Sequence, residues 1–285
     1  LRESGHEGTA RAYASSLRSM QKYLGKKDFP FIKLSSRIIS DYQGKLLASG
    51  ICDNTIGFYL HNIKALFRKG CREMGLELPC PFRDISIKTE KTLKRSLDPV
   101  VIKTLSAIEL EKDSPLSLAR DIFMFSFYTR GMSFVDIALL KKRHVFPGEI
   151  CYRRHKTDQL MRVGINKEIS RILERYKNVP GEYIFPLFPA ERDPYAGYRS
   201  AYHRIRYSLG KISRVIGLEF PLRLHAARHS WATIAKVNGA SVHVIGECLG
   251  HTSEKTTRIY LKELDHSALD AVNNQVADFI LAVDD

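Results

Sequence analysis

The stretch GHTSEKTTRIY, residues 250–260, places a tyrosine nine positions after a Gly-His pair. By composition it is a polar, basic segment in which Thr252 or Ser253 could cap a helix. A tyrosine in such a segment is more often a packed core aromatic than a reactive group. The residues elsewhere in the chain decide whether Tyr260 is a packed aromatic or a reactive group.

Upstream, HAARHSWAT (225–233) places His225 and Arg228 three residues apart, on one face of a predicted helix. Arginine is suited to bind two phosphate oxygens at once. Lys156 lies at the tip of a predicted hairpin, HKTDQ (155–159), where a flexible ammonium could reach a cleft. These residue types supply a nucleophile, cations and proton donors for a phosphodiester. They lack the carboxylates with which a two-metal nuclease holds magnesium.

A zinc site is the competing interpretation of the histidines. His225 and His229 are four residues apart and, with His251, could supply three ligands. No HExxH glutamate accompanies them, however, and Arg228 between the first two would repel a cation. We therefore predict no metal site.

Charge indicates the class of partner. The chain has 45 Lys and Arg against 31 Asp and Glu, a net charge of +14 and a pI near 9.6. Residues 1–97 hold 18 basic against 9 acidic residues, so the first third carries most of the excess. An excess of this size favours a polyanion such as nucleic acid over a merely solubilising surface.

Two further features concern the compartment. Five scattered cysteines without a CxxC pair argue against a disulfide framework and favour a reducing environment. No apolar run approaches the roughly 20 residues of a membrane span.

The N-terminal part predicts a small helical bundle. Apolar residues at steps of three and four predict helices over 7–25, 36–50 and 53–75, with Ser36 and Asp53 as caps. The third helix aligns basic side chains four residues apart on one face. The polar, basic stretch 85–98 that follows predicts an extended linker.

Beyond the linker, the pattern predicts a mixed but mostly helical domain. Helices are expected over 99–112, 115–129, 133–142, 167–178, 197–215, 226–239 and 241–250. Alternation within 149–166 predicts two strands around a turn at 156–158. Ser133, three residues before Asp136, matches a capping box. The predicted fold class is mostly α with a small β-sheet or hairpin.

The order and spacing of the motifs identify a family resemblance. HAARHSWAT (225–233), CLGH (248–251) and TTRIY (256–260) resemble the pattern H-x-x-R-H-[ST]-x-A-T, L-G-H, T-T-x-x-Y of the tyrosine recombinases, or phage integrases. The resemblance implies a helical, SAM-like core-binding domain over 1–84, a linker over 85–98 and an α/β catalytic domain over 99–285. FYTRGMSFVDIALLKKRHV (127–145) is most similar to integrases and invertases of Bacteroides-type mobile elements.

The resemblance also implies roles for the site residues. Tyr260 would attack a DNA phosphate and form a 3′-phosphotyrosine with a free 5′-hydroxyl. Arg228 would hold the non-bridging oxygens and Lys156 would protonate the leaving 5′-oxygen. His225 would assist proton transfer, and His251 would bond the scissile phosphate. The bond energy stays in the phosphotyrosine, so no ATP, metal or other cofactor is expected.

One position departs from the family pattern. The first catalytic arginine of the family falls at Ser133, and Asp136 replaces the usual glutamate. We favour Arg130, about one helical turn upstream, as the replacement, with Ser133 capping the helix. Arg153 or Arg154 on the hairpin is the alternative. An inactive site is the third possibility.

The implied assembly is a homotetramer on two double-stranded DNA duplexes that passes through a Holliday junction, with a monomer or weak oligomer in the free state. The amphipathic tail 266–285 would dock on a neighbouring protomer, or else pack on its own domain. The enzyme would act in the bacterial cytoplasm, at the nucleoid, with no membrane association. The residues expected to grip DNA are Lys64, Arg68, Arg72, Lys91, Lys94 and Arg95.

Two other functions stay open from the sequence. A DNA-binding architectural protein, weakened or silenced by Ser133, would use the same basic surfaces. A type IB topoisomerase would use the same chemistry but would relax DNA as a monomer. Only catalysis requires Tyr260, His251 and Lys156 together, which favours a site-specific recombinase, an integrase or invertase.

Overall fold

A computed structural model describes residues 7–26, 28–88, 90, 96–188, 194–251 and 253–261, except for the side chains of Phe31, residues 194–196, Ile259 and Tyr260. The chain divides into two units, Leu1–Thr92 and Leu93–Asp285. In the described part, no helix is both long enough and apolar enough to cross a membrane.

The N-terminal unit is a bundle of three helices: α1 (Glu7–Leu24), α2 (Ser36–Ala48) and α3 (Asp53–Glu73), with a 3-10 turn at Phe31–Lys33. Their apolar stripes form one buried cluster around Tyr42, whose hydroxyl donates to Ser19 Oγ at 2.7 Å. The cluster consists of Met20, Ile39, Tyr42, Leu46, Ile56, Leu60, Ile63, Phe67 and Phe82.

The two helix starts in this unit differ from the prediction by one residue. Ser35, not Ser36, is the N-cap of α2, because its Oγ accepts from Ile38 N. α3 begins after Cys52, which makes no capping hydrogen bond through its side chain, and Asp53 is the first helical residue. A carboxylate at that position still favours the helix through the helix dipole.

The linker prediction is described only at its two ends. Gln43 Nε2 donates to Ser86 O at 2.9 Å, and Asn54 exchanges two hydrogen bonds with the backbone of Glu90, so residues 86 and 90 are bonded within the N-terminal unit. Leu97 is 5% exposed and belongs to the core of the second unit. Lys91, Lys94 and Arg95 lie outside the described residues.

The second unit contains α4 (Pro99–Ala107), α5 (Pro115–Tyr128), α6 (Phe134–Ala138), α7 (Lys167–Arg175), α8 (Pro194–Val215), α9 (Leu224–Val237), α10 (Val242–Leu249) and α11 (Glu254–Tyr260). α5 is the predicted core helix, buried on nearly all sides. It packs against α7, α8 and α9. The mostly helical fold class is confirmed.

A three-stranded antiparallel sheet completes this unit, in the order β1 (Val145–Phe146), β2 (Glu149–Arg153) and β3 (Leu160–Gly164). Tyr152 pairs with Met161 in the register of β2 and β3, and both side chains are buried. The hairpin between β2 and β3 turns at residues 155–158, where Asp158 has φ +53°. This sheet carries the Lys156 hairpin that the sequence predicted.

Candidate active site

Arg228 is the centre of the candidate site. It lies in the second turn of α9 and is only 5% exposed. Its Nη1 donates to Gly131 O at 2.7 Å, and its Nη2 donates to Leu249 O. Nη2 also lies 3.0 Å from His251 Nε2. The guanidinium therefore joins the end of α5, the end of α10 and the histidine that follows α10.

Gly131 allows this arrangement because its backbone touches the arginine. A Cβ at position 131 would lie 2.6 Å from Arg228 Cγ and 2.8 Å from Arg228 Cα. Its φ of +74° is also a conformation that favours glycine. The chain thus passes directly over Arg228 and fixes its side chain.

His251 follows the left-handed C-cap Gly250 of α10 and is half-buried. Its backbone N–H donates to Gly246 O at 2.9 Å, and its Nδ1 lies 3.0 Å from Thr257 Oγ1. Burial, followed by the positive charges of Arg228, Arg154 and Lys156, lowers the pKa of His251 to about 4. The ring is therefore neutral at pH 7 and lies among three cations.

The β2–β3 hairpin contributes two of those cations. Arg154 is half-buried, and its Nη1 donates to Gly250 O, directly before His251. Lys156 is exposed at the tip, near enough to affect the pKa of His251. Arg153 instead bonds the turn, donating to Asp158 O at 2.9 Å.

Ser133 and Asp136 connect the start of α6 to the β2–β3 hairpin. Ser133 is the N-cap of α6, as predicted: its Oγ accepts from Asp136 N and donates to Asp136 Oδ2 at 2.6 Å. Asp136 Oδ1 accepts from His155 N at 2.8 Å. The buried carboxylate therefore ties the start of α6 to the hairpin that carries Arg154 and Lys156.

Arg130 lies near β3, and together with Arg154 and Arg228 its charge partly offsets the rise in pKa that burial causes at Tyr152. Arg130 has φ +60° at the end of α5, and its Nη1 lies 3.5 Å from Arg162 O on β3. The cations that lower the pKa of His251 are Arg228, Arg154 and Lys156. Arg130 as the replacement clamp stays a prediction, and the hydrogen bond of Arg154 beside His251 makes that residue the stronger candidate.

The other predicted residues have these positions. His225 is exposed at the start of α9, with its ring 4.7 Å from the ring of His229 between centroids. Tyr260 ends α11, but its side chain lies outside the described residues. On α3, Arg68 and Arg72 are exposed and Lys64 is half-buried.

The spacing of the motifs gave no indication of Thr257 or of the bond from Asp136 to the hairpin. Only the repeated Thr-Thr before Tyr260 could have drawn attention to Thr257. Within the described ranges, no group of three or more His, Cys, Asp or Glu side chains could hold a metal ion. What the site offers is a pocket of positive charge around a neutral histidine, which suits a phosphate anion.

Comparison with known proteins identifies the family. The model of the phage integrase family matches residues 96–266, and that of the phage integrase SAM-like domain matches residues 1–82. Tyrosine recombinase XerC of Shewanella oneidensis is 26% identical over 226 residues, covering 76% of this chain and 70% of that protein.

Two solved structures share the fold. A lambda integrase dimer bound to a core site has a TM-score of 0.65 at 18% identity, covering 89% of both chains. The Tn1549 transposon integrase in complex with circular intermediate DNA has a TM-score of 0.66 at 15% identity, covering 94% of this chain and 99% of that one. Since the family model spans more than half of the sequence, this chain belongs to the phage integrase family, the tyrosine recombinases.

Proposed function

We propose that this recombinase cleaves and rejoins DNA at specific sites through a 3′-phosphotyrosine at Tyr260, without metal or ATP. The observation that carries the proposal is the cluster formed by Arg228, His251, Arg154 and Lys156. Three cations converge there, and they and burial lower the pKa of His251 to about 4. A site with this excess of positive charge is preorganised for an anion.

Each residue of the site has a separate role in the reaction. The phenolic oxygen of Tyr260 forms a bond to phosphorus while the bond to the 5′-oxygen breaks, and Lys156 gives that oxygen its proton. Arg228 and His251 stabilise the charge on the non-bridging oxygens, and the exposed His225 accepts the proton that the phenol of Tyr260 loses. Attack by a 5′-hydroxyl of another strand reverses the step, so one phosphodiester is exchanged for another.

Arg154 serves as the second phosphate clamp in place of the arginine missing at Ser133. Three observations support this assignment. Its Nη1 donates to the carbonyl of Gly250, beside His251. Its charge acts on His251 directly. The hairpin that carries it is anchored by Asp136 Oδ1 through His155 N. The guanidinium thus enters the site from β2 rather than from α6.

The assembly we propose is a homotetramer on two duplexes, formed from a monomer or weak oligomer and passing through a Holliday junction. In this assembly the segment 266–285, which lies outside the described residues, would dock on a neighbouring protomer, and basic residues of α3 and of the linker would bind DNA. The lambda integrase structure is a dimer on its core site, which supports more than one protomer per DNA. The setting is the bacterial cytoplasm and nucleoid, on a Bacteroides-type mobile element.

Covalent trapping tests the chemistry. The protein is incubated with nicked duplexes that tile the DNA flanking its gene, because a nick close to the 3′ side of the cleaved phosphate lets the short fragment with the new 5′-hydroxyl dissociate and so prevents religation. We expect a denaturant-resistant protein–DNA adduct, absent in Tyr260→Phe and retained in Tyr13→Phe, which makes the same chemical change in α1.

An adduct that persists in Tyr260→Phe would refute the assignment of the nucleophile. Tight binding of all three proteins without any adduct would instead favour a silent DNA-binding scaffold. A monomer that relaxes supercoiled DNA but exchanges no strands would indicate the topoisomerase alternative.

A further inference from the structure

Thr257 lies against His251 in the same helix that carries Tyr260. It is fully buried, one turn before the tyrosine in α11, and its Oγ1 is 3.0 Å from His251 Nδ1. The close packing depends on Gly246 of α10, where a Cβ would lie 2.9 Å from Thr257 Oγ1. Thr257 therefore occupies a fixed place between the two helices.

The hydrogen bonds of His251 determine which ring nitrogen carries the proton. Its Nε2 lies 3.0 Å from Arg228 Nη2, and a guanidinium only donates hydrogen bonds, so Nε2 must accept. The ring is neutral at pH 7 because burial and the neighbouring cations lower the pKa of His251 to about 4. The single ring proton then resides on Nδ1 and is donated to Thr257 Oγ1.

We infer that Thr257 is a positioning residue whose hydroxyl oxygen holds His251 in the Nδ1–H tautomer, with Nε2 directed at Arg228 and the phosphate site. This inference rests on the proposed recombinase chemistry. A DNA phosphate at Nε2 favours the doubly protonated ring, which then donates from Nε2 to the phosphate while Nδ1–H stays on Thr257.

One consequence concerns the timing of catalysis. Thr257 and Tyr260 belong to one helix of seven residues, α11. Packing of this helix against α10 therefore orients the histidine and positions the backbone that carries the nucleophile. A site from which α11 has withdrawn would lack both, and so would not activate a phosphate in the absence of its tyrosine.

Isosteric substitution separates this role from simple packing. Thr257→Val removes the hydroxyl and keeps the shape, whereas Thr257→Ser keeps the hydroxyl. Thr256→Val is the matched control, since Thr256 is the exposed neighbour in the same helix. Cleavage of the nicked duplex is measured under single-turnover conditions beside DNA affinity. The His251 tautomer is read from ring nitrogen shifts of protein labelled with ¹⁵N-histidine, and the signal is assigned with His251→Asn.

We expect Thr257→Val to slow cleavage about tenfold or more, as removal of the orienting partner of a functional histidine does, without a change in DNA affinity. In that variant the buried Nδ1–H loses its acceptor, Thr257 Oγ1, so the ring can turn away from Arg228 and the Nδ1–H signal of His251 should give way to a mixture of tautomers. Thr257→Ser, which keeps the hydroxyl, should cleave at close to the parent rate, and Thr256→Val should match the parent in rate and spectrum.

Several results would overturn the inference. An unchanged tautomer in Thr257→Val would do so, as would a Thr257→Ser variant that loses as much activity as Thr257→Val. If Thr257→Val lowers the unfolding temperature, Thr257→Ala takes its place, because alanine removes the hydroxyl without adding atoms. Its cleavage rate and tautomer are then compared with those of Thr257→Ser. Should the parent protein form no adduct while Thr257→Val still alters the tautomer, the proposed function fails and the positioning role stands.

Discussion

At the scale of single residues, the site depends on two glycines that let backbone approach a functional side chain. Gly131 brings its carbonyl to Arg228 Nη1 at 2.7 Å, and Gly246 leaves room for the hydroxyl of Thr257 beside His251. A methyl group at either position would require its neighbour to move. The positions of the catalytic side chains are therefore set by close packing as much as by hydrogen bonds.

The replacement of the missing arginine can be tested by paired truncations. We expect Arg154→Ala to slow single-turnover cleavage about 100-fold, the typical cost of removing one donor to a developing oxyanion. Arg130→Ala should cost much less, because its side chain lies at the carbonyl of Arg162 on β3. Rates are compared at saturating protein, so that DNA affinity does not contribute.

The reverse pattern would restore Arg130 as the clamp. If neither truncation slows cleavage, the site operates with Arg228 as its principal arginine. Thermal unfolding of both variants provides the control for folding.

Individual residues differ in how far the sequence could predict them. His225, Arg228, His251 and Tyr260 follow from a spaced motif, and the structure brings Arg228 and His251 together. Arg153 and Arg154 are consecutive arginines at the end of a strand, so their side chains point to opposite faces. The sequence does not show which face is directed at the site, because both residues have the same side chain. The choice between Thr256 and Thr257 depends on the rotation of a short helix about its axis. Neither orientation is specified by residue type.

At the scale of elements, apolar periodicity located most helices, and their ends were less predictable. α5 follows from its apolar run, whereas α4 ends at Ala107, five residues before its predicted end. The segment after α4 leads into the cap Ser114 and the proline that begins α5. Where α4 ends is therefore decided by packing and by the start of α5, and apolar periodicity alone does not locate that residue.

The bond between α6 and the hairpin is the element-scale feature most open to experiment. Asp136→Ala removes the acceptor of both Ser133 Oγ and His155 N, and we expect a loss of about 1–3 kcal/mol of unfolding free energy, typical of buried donors left unsatisfied. The amide of His155 should exchange with solvent faster, and cleavage should slow because Arg154 and Lys156 lose their anchor. Chemical denaturation and hydrogen exchange measure the two structural effects.

Glu149→Gln is the matched control for this variant. Glu149 pairs with Arg162 at 3.0 Å in the same sheet, but Arg162 is exposed and Glu149 is only half-buried, so removal of the pair should cost only about 0–1 kcal/mol. Unchanged exchange at His155 in Asp136→Ala would show that the hairpin is held by other interactions.

At the scale of the whole molecule, each unit has a hydrophobic core of its own, and the positive charge is concentrated in the first. Residues 1–92 carry 16 basic against 9 acidic residues, whereas the twice longer second unit carries 29 against 22, so the same net charge of +7 is held by a third of the chain in the first unit. Because the first unit folds around its own core, substitution of its exposed cations should weaken DNA binding and leave the active-site residues of the second unit in place. DNA binding and cleavage should therefore be separable by mutation.

The basic face of α3 provides that test. Replacing Lys64, Arg68 and Arg72 together with glutamine should weaken DNA binding and reduce the slope of log affinity against log salt by about 2.7, roughly 0.9 for each phosphate that the variant no longer neutralises. Lys69→Gln is the control, because Lys69 already pairs with Glu73 at 3.6 Å. At saturating protein the triple variant should still form the covalent adduct, since the cluster of Arg228, His251, Arg154 and Lys156 lies in the other unit. A reduction of the slope by about 0.9 in Lys69→Gln, the same per residue as in the triple variant, would mean that bulk charge, rather than this face, carries the binding.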